Sequence, residues 1–86
     1  MFINKTESGQ NNICGGNIAK YRKELGLSQR TFAEQLQMLG LQIEKNAIQR
    51  MESGKRFITD IELVYLAKAL GKSLDELIDP EQLRIT

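Results

Sequence analysis

The sequence predicts an all-α protein, a compact bundle of five short helices, on the strength of two observations. Apolar residues recur every three or four positions in five separate segments, as in helices that bury one face. Glycine or proline ends each segment, and residues that favour helix N-caps precede most of them. No segment shows the alternation of apolar and polar residues that a strand needs. The 86 residues are enough for one domain with a modest core.

Composition and charge narrow the class of protein. The hydrophobic share of 41% and the charged share of 27% are those of an ordinary soluble globular protein. No apolar run is long enough to span a membrane, and the N-terminus lacks the pattern of a secretory signal. The lone Cys14 cannot form an internal disulfide, so we expect a cytoplasmic protein. The net charge of +1 does not decide the partner, because a nucleic-acid binder needs only a local basic patch.

The chain divides into a helical domain between two less regular ends. Residues 1–15 are polar, rich in Gly and Asn and without a sustained period, so we predict a flexible N-terminal arm. The helical domain is predicted to span residues 16–79, and residues 80–86 to form a loose tail. Asn17 is predicted to cap a first helix that runs from Ile18 to Leu25.

Two charged residues fall on the apolar faces of predicted helices. Arg22 lies inside the apolar stripe of the first helix, and Glu52 shares the inward side of the third helix with Ile48 and Met51. A charge on a core face needs a partner. We therefore predict that Arg22 and Glu52 form a partly buried ion pair between these two helices. Such a pair specifies geometry more than it adds stability.

The other helices have recognisable start and stop signals. Ser28 is the predicted N-cap of the second helix, which Gly40 ends. The fourth and fifth helices each begin with a capping box, in which a hydroxyl and a glutamate satisfy backbone N–H groups. The two pairs are Thr59 with Glu62 and Ser73 with Glu76.

The stretch from Glu44 to Arg56 predicts a short third helix with a polar outer face. At about 100° per residue, Asn46, Arg50 and Ser53 project away from the core side, with Ala47 and Gln49 flanking them. Asn and Gln match the donor and acceptor of adenine in the major groove, and Arg matches the acceptors of guanine. The solvated face of a small core helix explains the same residues. This stretch alone leaves both interpretations open.

Further polar and cationic residues bracket the third helix. Gln29 and Arg30 lie in the first turn of the second helix, where outward backbone amides and the helix dipole favour a phosphate. Lys45 lies near the start of the third helix, and Lys55 and Arg56 follow its end. Each cation taken singly could be an ordinary surface residue. As a group they favour a surface that binds phosphates.

Segments between Gly16 and Ile78 follow a known pattern in the right order. They are Ile18, Arg22, Gly26-Leu27-Ser28-Gln29, Phe32-Ala33, Leu36, Ile48, Met51-Glu52-Ser53-Gly54-Lys55, Leu66-Ala67-Lys68-Ala69-Leu70-Gly71 and Ser73-Leu74-Asp75-Glu76-Leu77. This combination resembles the phage-repressor and Cro-like (XRE-type) helix-turn-helix family, which has the lambda-repressor-like fold. Each segment alone is a weak signal, and the combination is specific.

The resemblance implies a five-helix domain that inserts its third helix into the major groove of double-stranded DNA. It places the base-reading positions at Lys45, Asn46, Ala47, Gln49 and Arg50. It also implies that Gln29 binds the DNA backbone and that Lys55 and Arg56 approach phosphates. The family's pairing of a first-helix arginine with a third-helix glutamate matches Arg22 and Glu52.

The sequence departs from the family in the connection before the third helix, residues 37–43, which is longer than the usual tight turn. Either the second helix is extended by about a turn or the loop bulges. We expect Leu39, Leu41 and Ile43 to keep this connection packed. Glu44 stands at the family's usual Ser/Thr cap position, where it is a poorer cap. The longer connection would tilt the third helix relative to the groove.

These observations predict a sequence-specific transcriptional regulator of bacterial or phage origin, a repressor that binds an operator in double-stranded DNA. Useful specificity from so small a domain would need a homodimer on two half-sites. The alternative is a helix-turn-helix adaptor or antitoxin component that binds protein. With no histidine and a single cysteine, we predict no enzyme activity, no metal site and no cofactor. We also expect no membrane partner and no small-molecule ligand.

Overall fold

The computed structural model describes residues 4–78, in which five helices surround one apolar core. The helices are α1 (Gly15–Glu24), α2 (Gln29–Leu39), α3 (Lys45–Glu52), α4 (Asp60–Leu70) and α5 (Leu74–Leu77). Residues 4–78 contain no strand, so the predicted all-α class with five helices is confirmed. None of these helices has the length and apolar character needed to cross a bilayer.

All five helices contribute to the core, but they do not enclose α3 equally. The largest fully buried side chains are Phe32, Ile18, Leu36, Ile48, Met51, Leu66 and Leu77. Burying each such side chain stabilises the fold by about 1.5–3 kcal/mol. The main contacts of α3 are with α1 and α2, whereas α4 packs on α1, α2 and α5. The inner side of α3 is therefore anchored and its opposite side is open to solvent.

The first helix starts earlier than predicted. It begins at Gly15 instead of Ile18, and its N-cap residue is Cys14 instead of Asn17. The Nδ2 atom of Asn17 donates to the carbonyl of Leu77 at 2.9 Å and joins α1 to α5. Burial raises the pKa of the Cys14 thiol to about 11, which keeps it protonated and unreactive at neutral pH.

The predicted flexible arm, residues 1–15, requires a correction over its second half. Asn11 and Asn12 form hydrogen bonds with the end of α3 and with the segment that joins α3 to α4, and Cys14 and Gly15 are buried. These contacts hold the segment against the helical body, because its amides reach backbone carbonyls that helix ends leave available. Residues 1–3 of the arm and the predicted tail, residues 80–86, lie outside the described residues.

The long connection before α3 results from an extended α2. This helix continues to Leu39, and Gly40 ends it in the left-handed conformation with φ of 109°. Leu41 and Ile43 are buried, as predicted. Leu39 is 42% exposed, so its predicted packing was wrong. The added turn carries Leu39 beyond the core to the edge between α2 and α4, beside Val64.

The N-caps of α2, α4 and α5 follow the sequence pattern. The Ser28 hydroxyl accepts a hydrogen bond from the backbone of Thr31 at 3.0 Å, and both predicted capping boxes are present in α4 and α5. Glu44 occupies the N-cap of α3 but makes no side-chain cap hydrogen bond. The start of α3 is therefore fixed by packing and by its buried inner residues, with no contribution from a cap side chain.

Candidate nucleic-acid interface

The outer face of α3 presents polar side chains that have no partner among residues 4–78. Ile48 and Met51 are fully buried on the inner side, while Asn46, Gln49 and Arg50 are exposed on the outer side. Among residues 4–78, no hydrogen bond or ion pair involves the side chains of these three outer residues. Two amides and one guanidinium are therefore free to bind an external partner.

An open concavity of about 620 Å³ lies on this face, lined by Asn46, Gln49, Arg50, Ser53 and Lys55. Four of these residues were predicted to contact DNA, and the structure brings them together. Ser53 is the addition: it lies on the outer face, and its hydroxyl donates to the carbonyl of Arg50 at 3.2 Å. Lys45 is exposed at the first position of α3, outside this concavity.

The buried side of α3 is fixed by the ion pair between Arg22 and Glu52. The Arg22 Nε atom lies 2.6 Å from Glu52 Oε2, and its Nη2 atom donates to Oε1 at 3.0 Å. The remaining Nη1 atom donates to the carbonyl of Leu27 at 2.7 Å. The pair is thus bidentate and buried, with a further bond to the turn after α1. Such geometry sets the orientation of α3 relative to α1.

Gln29 extends this network from the first residue of α2. Its Nε2 atom donates to Glu52 Oε1 at 2.9 Å, so α1, α2 and α3 meet at one carboxylate. The neighbouring Arg30 forms only a loose exposed pair with Glu34, at 3.5 Å. Exposed i,i+4 pairs contribute about 0.3–0.5 kcal/mol. The Arg30 guanidinium is therefore available to another anion.

Arg56 differs from Lys55 because its charge is already paired. Its Nη1 and Nη2 atoms donate to Glu62 Oε1 and Oε2 at 3.0 and 2.9 Å. The hydrogen bond from Arg56 holds the pKa of Glu62 below its ordinary value, and the same contact raises the pKa of Arg56. Glu62 also accepts from the backbone of Thr59 in the capping box, at 2.9 Å. The predicted phosphate ligand Arg56 is thus also a structural partner of α4.

We expect the Glu62 contacts to make stability depend on pH in the acid range. Since the folded-state pKa of Glu62 is depressed, its stabilisation is complete above the ordinary value of 4.5 and disappears as pH falls through the lower folded-state value. Glu62→Gln should lower the free energy of unfolding at neutral pH by about 1–3 kcal/mol. Urea unfolding of both proteins at a series of pH values measures this, and the difference should shrink in acid. A constant difference would contradict it.

Two of the predicted site residues lie beside a different depression. Ala47 is half-buried against the core, and together with Arg56 it borders a hollow of about 460 Å³. The other residues of that hollow are Gln37, Gln42, Ile43 and Glu44. Ala47 and Arg56 therefore flank the concavity on α3 without lining it.

Asn11 and Asn12 are functional candidates that sequence patterns did not indicate. They bond to the carbonyls of the segment that contains Lys55 and Arg56. Their partners are about forty positions away along the chain (separations of 39 and 44), and no local periodicity marks such a contact. The available signal was an asparagine pair just before a helix.

Comparison with known proteins supports this assignment of elements. A family model described as helix-turn-helix matches residues 18–77, from the buried Ile18 of α1 to the last residue of α5. No curated protein and no solved structure gives a significant match to the chain. The matched region includes the whole of α2, α3, α4 and α5. The chain therefore belongs to the XRE-type, Cro/C1-like helix-turn-helix family of DNA-binding regulators.

Proposed function

We propose that this protein is a sequence-specific repressor that inserts α3 into the major groove of double-stranded DNA. The supporting observation is the outer face of α3, where Asn46, Gln49 and Arg50 have no partner among the described residues and line one concavity with Lys55. The major groove of B-DNA admits an α-helix and distinguishes all four base pairs. An exposed helix with free amide and guanidinium groups fits that groove in size and in chemistry.

The outer residues divide into those suited to bases and those suited to phosphates. Arg50 has the planar fork that pairs with guanine, and Asn46 and Gln49 have the amides that pair with adenine. Each good bidentate contact provides about 1–3 kcal/mol of discrimination. Lys45 and Ala47 lie at the edges of this face and complete the proposed base-proximal set. Ala47 offers a methyl group, which suits contact with a thymine methyl.

Phosphate contacts would fix the orientation of α3 on the duplex. Lys55 is the main candidate, since it is exposed and borders the same concavity as Arg50. At the start of α2, the backbone amides of Gln29 and Arg30 and the positive end of the helix dipole would attract a phosphate. The Arg30 side chain adds one available cation. We assign Arg56 a smaller share of the affinity, because its charge is offset by Glu62.

Repression would follow from occupancy of an operator that overlaps the binding site of the transcription machinery. This role places the protein in the cytoplasm together with its DNA. A single small domain buries limited area on DNA, so we propose a homodimer that binds two half-sites about one helical turn apart.

The outer side of α4 is the proposed dimer surface. Ile61 and Val64 are 66% and 55% exposed there, and the exposed Asp60 and Lys68 lie four residues on either side of Val64. In a two-fold antiparallel pairing of α4 about Val64, Asp60 of each copy faces Lys68 of the other. The surface is thus complementary to itself in charge and apolar at its centre.

Val64→Glu should weaken this dimer by about tenfold or more, because like charges would meet at the two-fold axis. The fold should survive, since Val64 is largely solvent-exposed. Sedimentation equilibrium with and without operator DNA measures the change. A wild-type chain that stays monomeric at high concentration under both conditions would contradict the proposed dimer.

One observation favours the alternative, a helix-turn-helix adaptor or antitoxin component that binds protein. Met38 is 87% exposed at the end of the lengthened α2, near Leu39 and a hollow of about 330 Å³. Exposed apolar patches are typical of protein contacts. An adaptor would bind no DNA even at low salt, whereas a DNA-binding regulator loses affinity steeply as salt rises.

Selection of bound sites from random double-stranded DNA, followed by titration against salt, tests the proposed function. We expect a short enriched half-site, repeated with a fixed spacing, and a linear fall of the logarithm of affinity with the logarithm of salt concentration. Absence of any enriched sequence would contradict a sequence-specific role.

A further inference from the structure

We propose that Asn11 and Asn12, here called the asparagine brace, position the DNA-binding corner formed by residues 51–56. The inference rests on the proposed DNA-binding function and extends it to a segment that precedes the family match at residues 18–77. The corner contains the end of α3, Lys55 and the link to α4. The brace acts on DNA only through that corner.

Asn12 joins the two ends of the corner through one amide. Its Nδ2 atom donates to the carbonyl of Met51 at 3.0 Å and to the carbonyl of Arg56 at 2.8 Å. Its Oδ1 atom accepts from the backbone of Gly15 at 2.8 Å, which fixes the amide at the start of α1. The last carbonyls of a helix have no intrahelical partner. Asn12 therefore acts as an additional cap for α3 and also fixes the link that follows.

Asn11 holds the middle of the same corner. Its backbone N–H donates to the carbonyl of Gly54 at 2.7 Å, and its Nδ2 atom donates to the carbonyl of Lys55 at 3.0 Å. The backbone N–H of Lys55 in turn donates to the carbonyl of Arg50 at 2.9 Å. The peptide groups on both sides of Lys55 thus form hydrogen bonds. These bonds fix the backbone of Lys55, and therefore the position of its side chain at the edge of the α3 concavity.

Two glycines permit this close approach. A Cβ atom on Gly15 would lie 2.1 Å from the carbonyl oxygen of Met51, so any other residue would push the segment away from α3. Gly54 has a φ of 77°, which favours glycine, and a Cβ atom there would lie 2.8 Å from the Gln10 side chain. The segment that contains the brace, residues 10–15, and the corner therefore pack closely, with a glycine at the contact on each side.

The chain offers a matched control for the brace. Asn17, like Asn12, is half-buried and donates its Nδ2 atom to a backbone carbonyl, that of Leu77 at 2.9 Å. Its bond ties α1 to α5 and does not touch the corner. Asn12→Ala and Asn17→Ala each remove side-chain hydrogen bonds to distant backbone, but only the first acts on the proposed DNA-binding region.

Amide hydrogen exchange tests the brace without reference to DNA. In Asn12→Ala, exchange at the backbone N–H groups of Gly54 and Lys55 should be faster by about tenfold, because local opening of the corner becomes easier. In Asn17→Ala, exchange at these two positions should match the wild type. Equal exchange at the corner in both variants and the wild type would overturn the brace.

A double-mutant cycle with Lys55→Ala tests the effect on DNA. Asn12→Ala should weaken binding by about five- to tenfold when Lys55 is present and by less than about twofold when it is absent, since coupled residues are not additive. Asn17→Ala should leave affinity unchanged in both backgrounds. Full additivity of Asn12→Ala and Lys55→Ala, or equal losses for the two asparagine variants, would overturn the positioning role.

Asn11→Ala keeps the test decisive if Asn12→Ala does not fold. The Asn11 Oδ1 atom is buried and has no hydrogen-bond partner in the described part of the chain, so its removal offsets the lost bond to Lys55. This variant should show the same pattern of faster exchange and weaker binding at smaller amplitude, and wild-type behaviour would overturn the brace. If the wild-type protein binds no DNA, the proposed function fails, and hydrogen exchange alone then decides whether the brace holds the corner.

Discussion

Replacing Glu52 with alanine is expected to lower the free energy of unfolding by about 3–5 kcal/mol. The substitution leaves the guanidinium of Arg22, a residue that is only 7% exposed, without its counter-charge. It also removes the acceptor of the Gln29 amide, so the polar contacts of Glu52 with α1 and α2 are lost together. Urea unfolding at neutral pH, followed by helical circular dichroism, measures the loss.

Two further variants separate this effect from a general loss of charge. Glu34→Ala removes an exposed carboxylate paired with Arg30 and should change stability by less than about 1 kcal/mol. Replacing Arg22 with Met and Glu52 with Leu together should cost less than Glu52→Ala alone, because no buried charge is left uncompensated. A loss in Glu52→Ala no larger than that in Glu34→Ala would contradict the structural role of the pair.

Arg50→Ala is expected to lose about 1–3 kcal/mol of discrimination at one base pair of each half-site. Asn46→Ala should do the same at a neighbouring base pair. In contrast, Lys55→Ala should weaken binding to all sequences alike and reduce the magnitude of the salt slope by about one, since it removes a phosphate contact. Competition binding with the selected site and its single-base variants measures both effects.

The distinction between these two kinds of variant is the important outcome. Arg50 and Lys55 line the same concavity and carry the same charge. If the surface bound DNA only through electrostatic attraction, replacing either residue would cause the same loss of affinity. Identical loss across all sequences for Arg50→Ala and Lys55→Ala would contradict the assignment of bases to Arg50 and phosphate to Lys55.

Much of the fold could be predicted from the sequence because the deciding signals are local. Apolar periodicity and capping residues mark helices within a few positions, and both capping boxes formed as the pattern indicated. The partnership of Arg22 and Glu52 was also predictable. Each is a charge on an inward face, and burial of one requires the other.

Other contacts between distant segments could not be predicted in this way. Asn12 meets α3 across 39 positions, and no periodicity in the arm marks it as packed. Arg56 and Glu62 pair across a non-helical link, so helical spacing does not predict their contact. The structural role of Arg56, a predicted phosphate ligand, was therefore missed. Leu39 has an inward helical position but lies past the end of the core. Each case depends on where neighbouring elements end in space.

The central claim is that α3 reads bases from the major groove through Arg50. The most direct measurement compares binding to the selected site with binding to the same site carrying 7-deazaguanine, which lacks only the N7 acceptor in that groove. We expect the wild-type protein to lose about five- to twentyfold in affinity at one guanine per half-site, and Arg50→Ala to bind both DNAs equally. Equal binding of the two DNAs by the wild-type protein would contradict the claim.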